Sequence, residues 1–392
     1  MINTTETLQQ QAEKNPTIWQ YHKQCLSHLQ HLTEQAGGLI SFATFMEQAL
    51  YGTGVGFYTS GHPILGEQGH FTTASELSPL YAQCFAQQAH SLLQTYAAPT
   101  ILELGPGSGT FAAHMLLALE ALDSLPEKYL LMDISERLRQ QQQHTLRTIS
   151  PHLMERVQWI TDFPTTPFSG LILGHEVIDA LPVHLFTYHQ QQYYEQGVTW
   201  DGEKFHWQPL PITNTALKKA LEPIKPLIQG TTPYTSEINL NSALLLQKCN
   251  KALKEGLIVL VDYGFPAREY YHPQRSEGTL MCHYAHHSHN DPLILCGIQD
   301  ITAHVDFTAL ANNGIDLGLT LAGYTNQSAF LMDCGLLKLA ETIKPNTPTA
   351  MQTANAIKKL LMPQEMGELF KVIAFRKNYE GDVIGFSHPK PL

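Results

Sequence analysis

Ile101-Leu102-Glu103-Leu104-Gly105-Pro106-Gly107-Ser108-Gly109-Thr110 is the stretch on which the fold of this chain turns. Ile101, Leu102 and Leu104 predict a short buried strand. Gly105, Gly107 and Gly109 give a backbone that can take positive φ and lie close to a ligand. Phe111, Met115, Ala118 and Leu122 recur at i, i+4, i+7 and i+11, which predicts a helix with one apolar stripe. A glycine turn feeding a helix N-terminus directs free N–H groups at whatever sits there. The spacing departs from the dinucleotide fingerprint G-x-G-x-x-G, because Thr110 stands where the third glycine belongs. Taken alone, the stretch also fits a glycine-rich strand–helix turn with no ligand.

Outward from this turn, strands and helices alternate, as in a wound parallel sheet. The strands expected after 100–104 are 129–132, 157–160, 170–174 and 257–261, then one near 316–321 and a last one at 369–375, seven in all. Asp133 ends the second strand, 28 positions after Gly105. An acid at that tip suits ribose hydroxyls, since a carboxylate can accept two O–H bonds, and it also suits the start of the helix from Ser135. Upstream, Ser41 is a plausible N-cap for a helix carrying Phe42, Phe45, Met46 and Leu50, and Thr73 or Ser75 could open a helix running to about 96. Residues 192–198 and 204–207 read as paired strands around the turn at 200–202. Residues 265–300 read as a long loop, which at that length is functional or disordered.

The bulk numbers exclude several classes. A chain of 392 residues holds one large α/β domain with additions, or two domains. Its net charge of −11 argues against a nucleic-acid binder and suits a cationic substrate. No apolar run approaches the roughly 18 to 20 residues of a membrane span. The N-terminal residues carry neither the basic-then-apolar pattern of a secretory signal nor the arginines of a transit peptide, so the cytoplasm is expected. Six scattered cysteines without a Cys-x-x-Cys pair read as reduced thiols. His283, His286, His287 and His289 match no closed metal site and read as a solvated loop, so no metal is expected. Asp300, Thr302, His304 and Asp306 alternate, as on one strand face, unless Thr302 caps the next helix; His304 is the candidate site residue among them. Tyr263 either borders a substrate channel or is an ordinary strand-end aromatic.

Several stretches together resemble one family. Glu103-x-Gly105-x-Gly107-x-Gly109 resembles motif I of class I S-adenosylmethionine (SAM) methyltransferases. With it stand Gly66 to Leu80, His175-Glu176-Val177-Ile178-Asp179-Ala180-Leu181-Pro182-Val183, and Asp262-Tyr263-Gly264. Gly278-Thr279-Leu280, residues 299–307 and Met366-Gly367-Glu368-Leu369-Phe370-Lys371 complete the set. From about residue 38 to 377 the chain resembles the MidA family, which includes the mitochondrial complex I assembly methyltransferase acting on protein arginine. The resemblance implies a class I, Rossmann-like α/β fold: a seven-stranded sheet with helices on both faces, an N-terminal helical cap and inserted β and loop segments. It implies a cap region over 1–97, a SAM-binding domain over 98–190 and 241–377, an inserted hairpin region over 190–240 and a tail over 378–392. Gly105, Gly107 and Gly109 would cradle the cofactor, Glu103 would face its ammonium group and Asp133 its ribose, while Thr73 and Glu76 would close over it. The partner would be a protein, with a complex I subunit as the family's example, and exposed apolar cap surface could support a homodimer. The chain departs from the family pattern at His70, often Asp, and at Met281, often Arg; both bear on substrate more than on cofactor.

Methyl transfer from a sulfonium is an in-line displacement, so positioning and charge arrangement supply most of the catalysis. A guanidinium nucleophile has a pKa above about 12, must be aligned and must lose a proton. A carboxylate pair can grip its planar fork. Glu176 and Asp179 follow the C-terminal edge of a strand, where crevices of wound sheets open, and on a helical turn i and i+3 share a face. The alternatives are a helix start at Glu176 and a turn cap at Asp179. Asp262, at the matching end of the next strand, is open between a site acid and a turn acid. Two other classes remain in view: a non-catalytic assembly factor that docks through its cap, and a nicotinamide oxidoreductase. Thr110 and the missing second βαβ half argue against the latter.

Overall fold

The computed structural model describes residues 4–61, 74–344 and 347–392. The chain forms two compact units, each assembled from three separate segments. One comprises Thr72–Val177, Ala243–Pro266 and Val305–Leu392; the other comprises Met1–Phe71, Ile178–Ser242 and Ala267–His304. This division differs from the expected one. Residues 1–71 of the expected cap region and the inserted hairpin belong to a single unit, which also takes up residues 267–300 of the expected loop, while residues 72–97 of the cap region belong to the other.

The first unit is built on a sheet with the expected strands but for one: the helix Phe307–Asp316 runs on into the stretch expected as a strand near 316–321, and the strand there is Thr320–Asn326. Its strands are β1 (Thr100–Leu104), β2 (Lys128–Met132), β3 (Val157–Ile160), β4 (Phe168–His175), β5 (Leu253–Phe265), β6 (Thr320–Asn326) and β7 (Phe370–Lys377). They run in the order β6-β7-β5-β4-β1-β2-β3, and the two-residue strand Val305–Asp306 adds to the end of β5. β1 to β5 are parallel, and β7 runs antiparallel between β5 and β6. Ile101, Leu102, Leu171, Ile172, Leu173 and Leu257 to Leu260 are all buried, as in a sheet covered on both faces. Each such side chain contributes about 1.5–3 kcal/mol by leaving water. Strand order reverses at β1, and the loop that follows a strand at such a point opens into a crevice.

The helix Thr110–Ala121 follows the turn, as the sequence predicts, but its buried face is broader than a single stripe. Phe111, Ala112, Ala113, Met115, Leu116 and Leu119 are buried, while Ala118 and Leu122 are only half covered. Phe111 meets Tyr81 and Phe85 of the helix Pro79–Gln94. A helix packed on more than one side reads as apolar nearly all round, and periodicity then locates its buried face poorly.

The second unit carries a five-stranded antiparallel sheet. Leu39–Ser41, Gln192–Trp200, His184–His189 and Tyr234–Ile238 lie in that order, and Phe205–Pro211 pairs with Gln192–Trp200. Ser41 caps the helix Phe42–Tyr51 through the amide of Thr44, as its position suggests. Phe42, Phe45, Met46, Val198, Phe205, Cys296 and Ile301 share one core.

Residues 265–300 are not one loop. Met281–Tyr284, His287–His289 and Asp300–Thr302 form a three-stranded antiparallel sheet. Ala285 (φ 48°) and His286 (φ 64°) make its two-residue turn in the left-handed region, where glycine or asparagine is usual. His289 is buried there and His283 half-buried, so the histidine run is not wholly solvated. Among the described residues, no group of three or more His, Cys, Asp or Glu side chains could hold a metal ion. No described helix is long and apolar enough to cross a membrane. All six cysteines are free and buried.

Candidate functional site

Three neighbouring parallel strands bring the cofactor candidates to one edge of the sheet. Leu104 is in register with Met132 on one side and Gly174 on the other, so the ends of β2, β1 and β4 stand level. Gly105 donates from its amide to the Met132 carbonyl at 3.0 Å, and Glu176 does the same to Val261 at 2.9 Å. Asp133, the glycine turn and Glu176 therefore follow three adjacent strand ends.

The turn fits a bound cofactor. Gly105, Gly107 and Gly109 have φ of 58°, 53° and 81°, a region that side chains with a Cβ rarely occupy. A Cβ on Gly109 would lie 3.0 Å from the Gln142 Cα and 3.1 Å from Leu146 Cδ1. Gly109 is also the N-cap of the next helix and brings no side chain to bond its first-turn amides. Those amides and the open backbone are what a polar ligand needs.

Asp133 is buried, and its carboxylate is already oriented. One oxygen accepts from the Ser135 amide at 2.8 Å; the other accepts from the Gln142 side chain at 2.8 Å. Ser135, not Asp133, is the helix N-cap. Each carboxylate oxygen retains a further lone pair for a hydroxyl. Burial pushes the Asp133 carboxyl up to about 6, against the pull of Ser135, Gln142 and Arg139.

Glu103 sits on β1, 2% exposed, and accepts a hydrogen bond from the Tyr129 hydroxyl at 2.7 Å. Burial pushes its carboxyl up to about 8, and the tyrosine opposes that only in part. In this state it is a neutral acid, with its charge available once a cation arrives. The carboxyl of the unfolded chain titrates near 4.5. Between there and about 8 the folded chain keeps a proton that the unfolded chain has released, so stability falls as pH rises. Glu103→Gln, which keeps an acceptor for Tyr129, removes this dependence. Its urea midpoint is expected to exceed that of the wild type at pH 8, by up to a few kcal/mol in stability, with the gap closing toward pH 5. A gap that does not change with pH would contradict it.

Glu176 carries an observation that the sequence does not show. Its φ is 52°, left-handed for a non-glycine residue. Residues 176–180 form a bend and a turn, not the expected helical turn, so spacing along a helix does not place Glu176 and Asp179 together. Backbone held this way costs roughly 1–3 kcal/mol, persists where surrounding structure enforces it, and is concentrated at functional sites. Around it, the His175 ring lies 4.4 Å from Phe111, 4.8 Å from Phe85 and 5.6 Å from Tyr81, centroid to centroid. Burial lowers His175 to about 3, so it is neutral. Burial and then the nearby Glu176 carboxylate raise the Tyr81 phenol, so it keeps its proton.

The remaining candidates occupy other places. Glu76 is half-buried in the short helix Ala74–Leu77, and Thr73 and His70 lie outside the described residues. Asp262 is fully buried beside Lys371 of β7 in register, and accepts from the Tyr263 amide at 3.0 Å. Tyr263 packs edge-on against Phe370 at 5.5 Å. Asp179 and His304 belong to the second unit. The Asp179 carbonyl accepts from Ala303 at 2.9 Å, and the half-buried His304 donates its amide to the Thr279 hydroxyl at 3.1 Å. The alternation from Asp300 ends after Thr302; Asp306 caps the helix Phe307–Asp316. Asp300 accepts from the Tyr58 hydroxyl at 2.9 Å, and burial followed by the neighbouring Asp179 raises its carboxyl to about 7. Met281 is exposed on its strand.

The sheet order, the glycine turn and the oriented acid at the next strand tip define a methyltransferase that uses S-adenosyl-L-methionine. The chain belongs to the family described as "Putative S-adenosyl-L-methionine-dependent methyltransferase", whose model matches residues 80–325. A COG1565 superfamily member from Burkholderia thailandensis, solved bound to S-adenosyl-homocysteine, is 35% identical with a TM-score of 0.90, covering 96% of this chain and 97% of that one. The mitochondrial protein arginine methyltransferase NDUFAF7 of Mus musculus is 27% identical over 380 residues, 89% of this chain and 83% of its own. Its Homo sapiens counterpart is also 27% identical, over 379 residues, 89% and 82%.

Proposed function

We propose that the chain methylates an arginine side chain of a partner protein, with a respiratory complex I subunit as the first candidate suggested by the family resemblance. The observation that carries this reading is Glu176, an acid in strained backbone at the strand end beside the glycine turn. The activity named for the mitochondrial relatives supports the choice of arginine. The bound cofactor supplies a methyl group activated on a sulfonium. Gly105, Gly107 and Gly109 would hold it by backbone, Asp133 by its ribose, and Glu103 would face its ammonium group. The Glu176 carboxylate would accept N–H bonds from the guanidinium fork, turn one nitrogen toward the methyl group and take up the proton that nitrogen sheds. Neutral His175 and the protonated phenol of Tyr81 add no competing charge beside that carboxylate.

The test is transfer of radiolabelled methyl from SAM into complex I subunits and into whole-cell protein, followed by acid hydrolysis. Label is expected in methylarginine, and Glu176→Gln is expected to abolish it while S-adenosyl-homocysteine (SAH) still binds. Cofactor binding without label in any protein would favour the non-catalytic assembly factor; label in another residue would overturn the choice of acceptor.

A further inference from the structure

The helix Glu136–Ile149 buries Leu138, Gln142 and Leu146 on one stripe. Gln142 is 0% exposed, an amide between two leucines. Its Nε2 donates to the Gly107 carbonyl at 3.0 Å and to the Asp133 carboxylate at 2.8 Å. Its Oε1 accepts from the Trp159 indole N–H of β3 at 3.0 Å. Two acceptors at one end and a donor at the other fix which end is nitrogen, since the flipped amide would face two oxygens with an oxygen. The Gln142 backbone also lies against the position that a Gly109 Cβ would need.

We propose that Gln142 is a positioning residue for the cofactor: its amide locks the glycine turn to the ribose acid, and Trp159 locks the amide. This rests on reading Asp133 as the ribose acid. Without the clamp, the Gly107 carbonyl and the Asp133 carboxylate are free to move independently, and the pocket must be organised at the expense of binding. Gln142 reaches the ligand only through these two groups.

The role leaves a signature in pH as well as in affinity. Asp133 accepts hydroxyl bonds best when ionised, so its contribution to affinity is present above about 6 and falls as pH drops through it, while Glu103, up at about 8, sets a separate limb at higher pH. The donated amide bond favours the ionised form, so losing it moves that acid limb upward. Arg139, on the same helix, is the charged side chain that acts on Asp133. The glycine turn and β3 contain no charged residue.

Calorimetric titration with SAH from pH 5 to 8.5 tests this on the full chain as wild type, Asp133→Asn, Gln142→Leu and Trp159→Phe, with folding checked by circular dichroism. Gln142→Leu is expected to weaken SAH at least tenfold at pH 8 and to start its acid limb at higher pH. Trp159→Phe should show a smaller loss with the limb moved the same way, and it decides the matter if Gln142→Leu does not fold. A folded Gln142→Leu with wild-type affinity and limb overturns the proposal. So does a loss of affinity at all pH values with the limb unmoved, which is what general loosening would give. Wild-type affinity in Asp133→Asn would instead overturn the reading of the ribose acid, a different failure.

Discussion

Glu176→Gly is expected to fold as well as the wild type and to transfer methyl groups at least a hundredfold more slowly. The two halves have separate origins. Glycine accepts φ near 52° without penalty, which relieves strain of about 1 kcal/mol or more at that position. It also gives the unfolded chain extra freedom worth about 0.4–1 kcal/mol, so the two changes nearly cancel. The rate falls because a group that aligns the acceptor and takes its proton contributes typically 10²–10⁴-fold. Unfolding midpoints beside single-turnover rates with SAM decide it. A fully active glycine variant would remove Glu176 from the chemistry. A variant unfolded by several kcal/mol would mean that its side chain holds the turn.

Gly109→Val is expected to abolish measurable cofactor binding, weakening SAH by two orders of magnitude or more, about 2.8 kcal/mol. The valine would need φ near 81°, and its Cβ would press on Gln142 Cα at 3.0 Å and Leu146 Cδ1 at 3.1 Å. These neighbours include helix backbone, which cannot swing aside as a flexible side-chain end does. The turn is less supported than the sheet, so the turn gives way, and with it the backbone that faces the ligand. Calorimetry with SAH, with circular dichroism as a control for the sheet, checks this. Near-wild-type affinity would show that the turn tolerates a side chain and is not a cradle.

The parts of the site legible in the sequence rest on local signals. The run Ile101 to Thr110 combines apolar residues, spaced glycines and a helix start within ten positions, and Asp133 ends an apolar run of the right length. The central strands follow from such runs, because strands buried on both faces announce themselves by continuous Leu, Ile and Val; Thr320–Asn326, only partly buried, has no such run and is displaced from its expected place. What stayed hidden depends on backbone geometry or distant partners. Nothing in His175-Glu176-Val177 reveals a left-handed glutamate, so a helical turn was the natural expectation there. Three short strands, of four, three and three residues, turned at Ala285-His286 without a glycine, read as loop. Gln142 lies within the run Gln140-Gln141-Gln142-Gln143, which looks like solvated helix surface; that its amide lies buried between a glycine carbonyl and an acid is a property of three segments together. Its position midway between Leu138 and Leu146 was the available signal.

The assembly of the second unit from three segments bears on how the chain is made. His22 bonds to the Cys296 carbonyl across 274 positions of sequence, and Tyr58 to Asp300 across 242. At roughly 5–20 residues per second, a ribosome needs about 10–50 s after residue 71 to deliver residue 304. Throughout that interval Phe42, Phe45 and Met46 have been synthesised, while Cys296 and Ile301, with which they share a core, do not yet exist. The N-terminal segment therefore cannot complete its core while the later residues are being translated, and the earliest point at which that core can close is set by the emergence of the segment Ala267–His304.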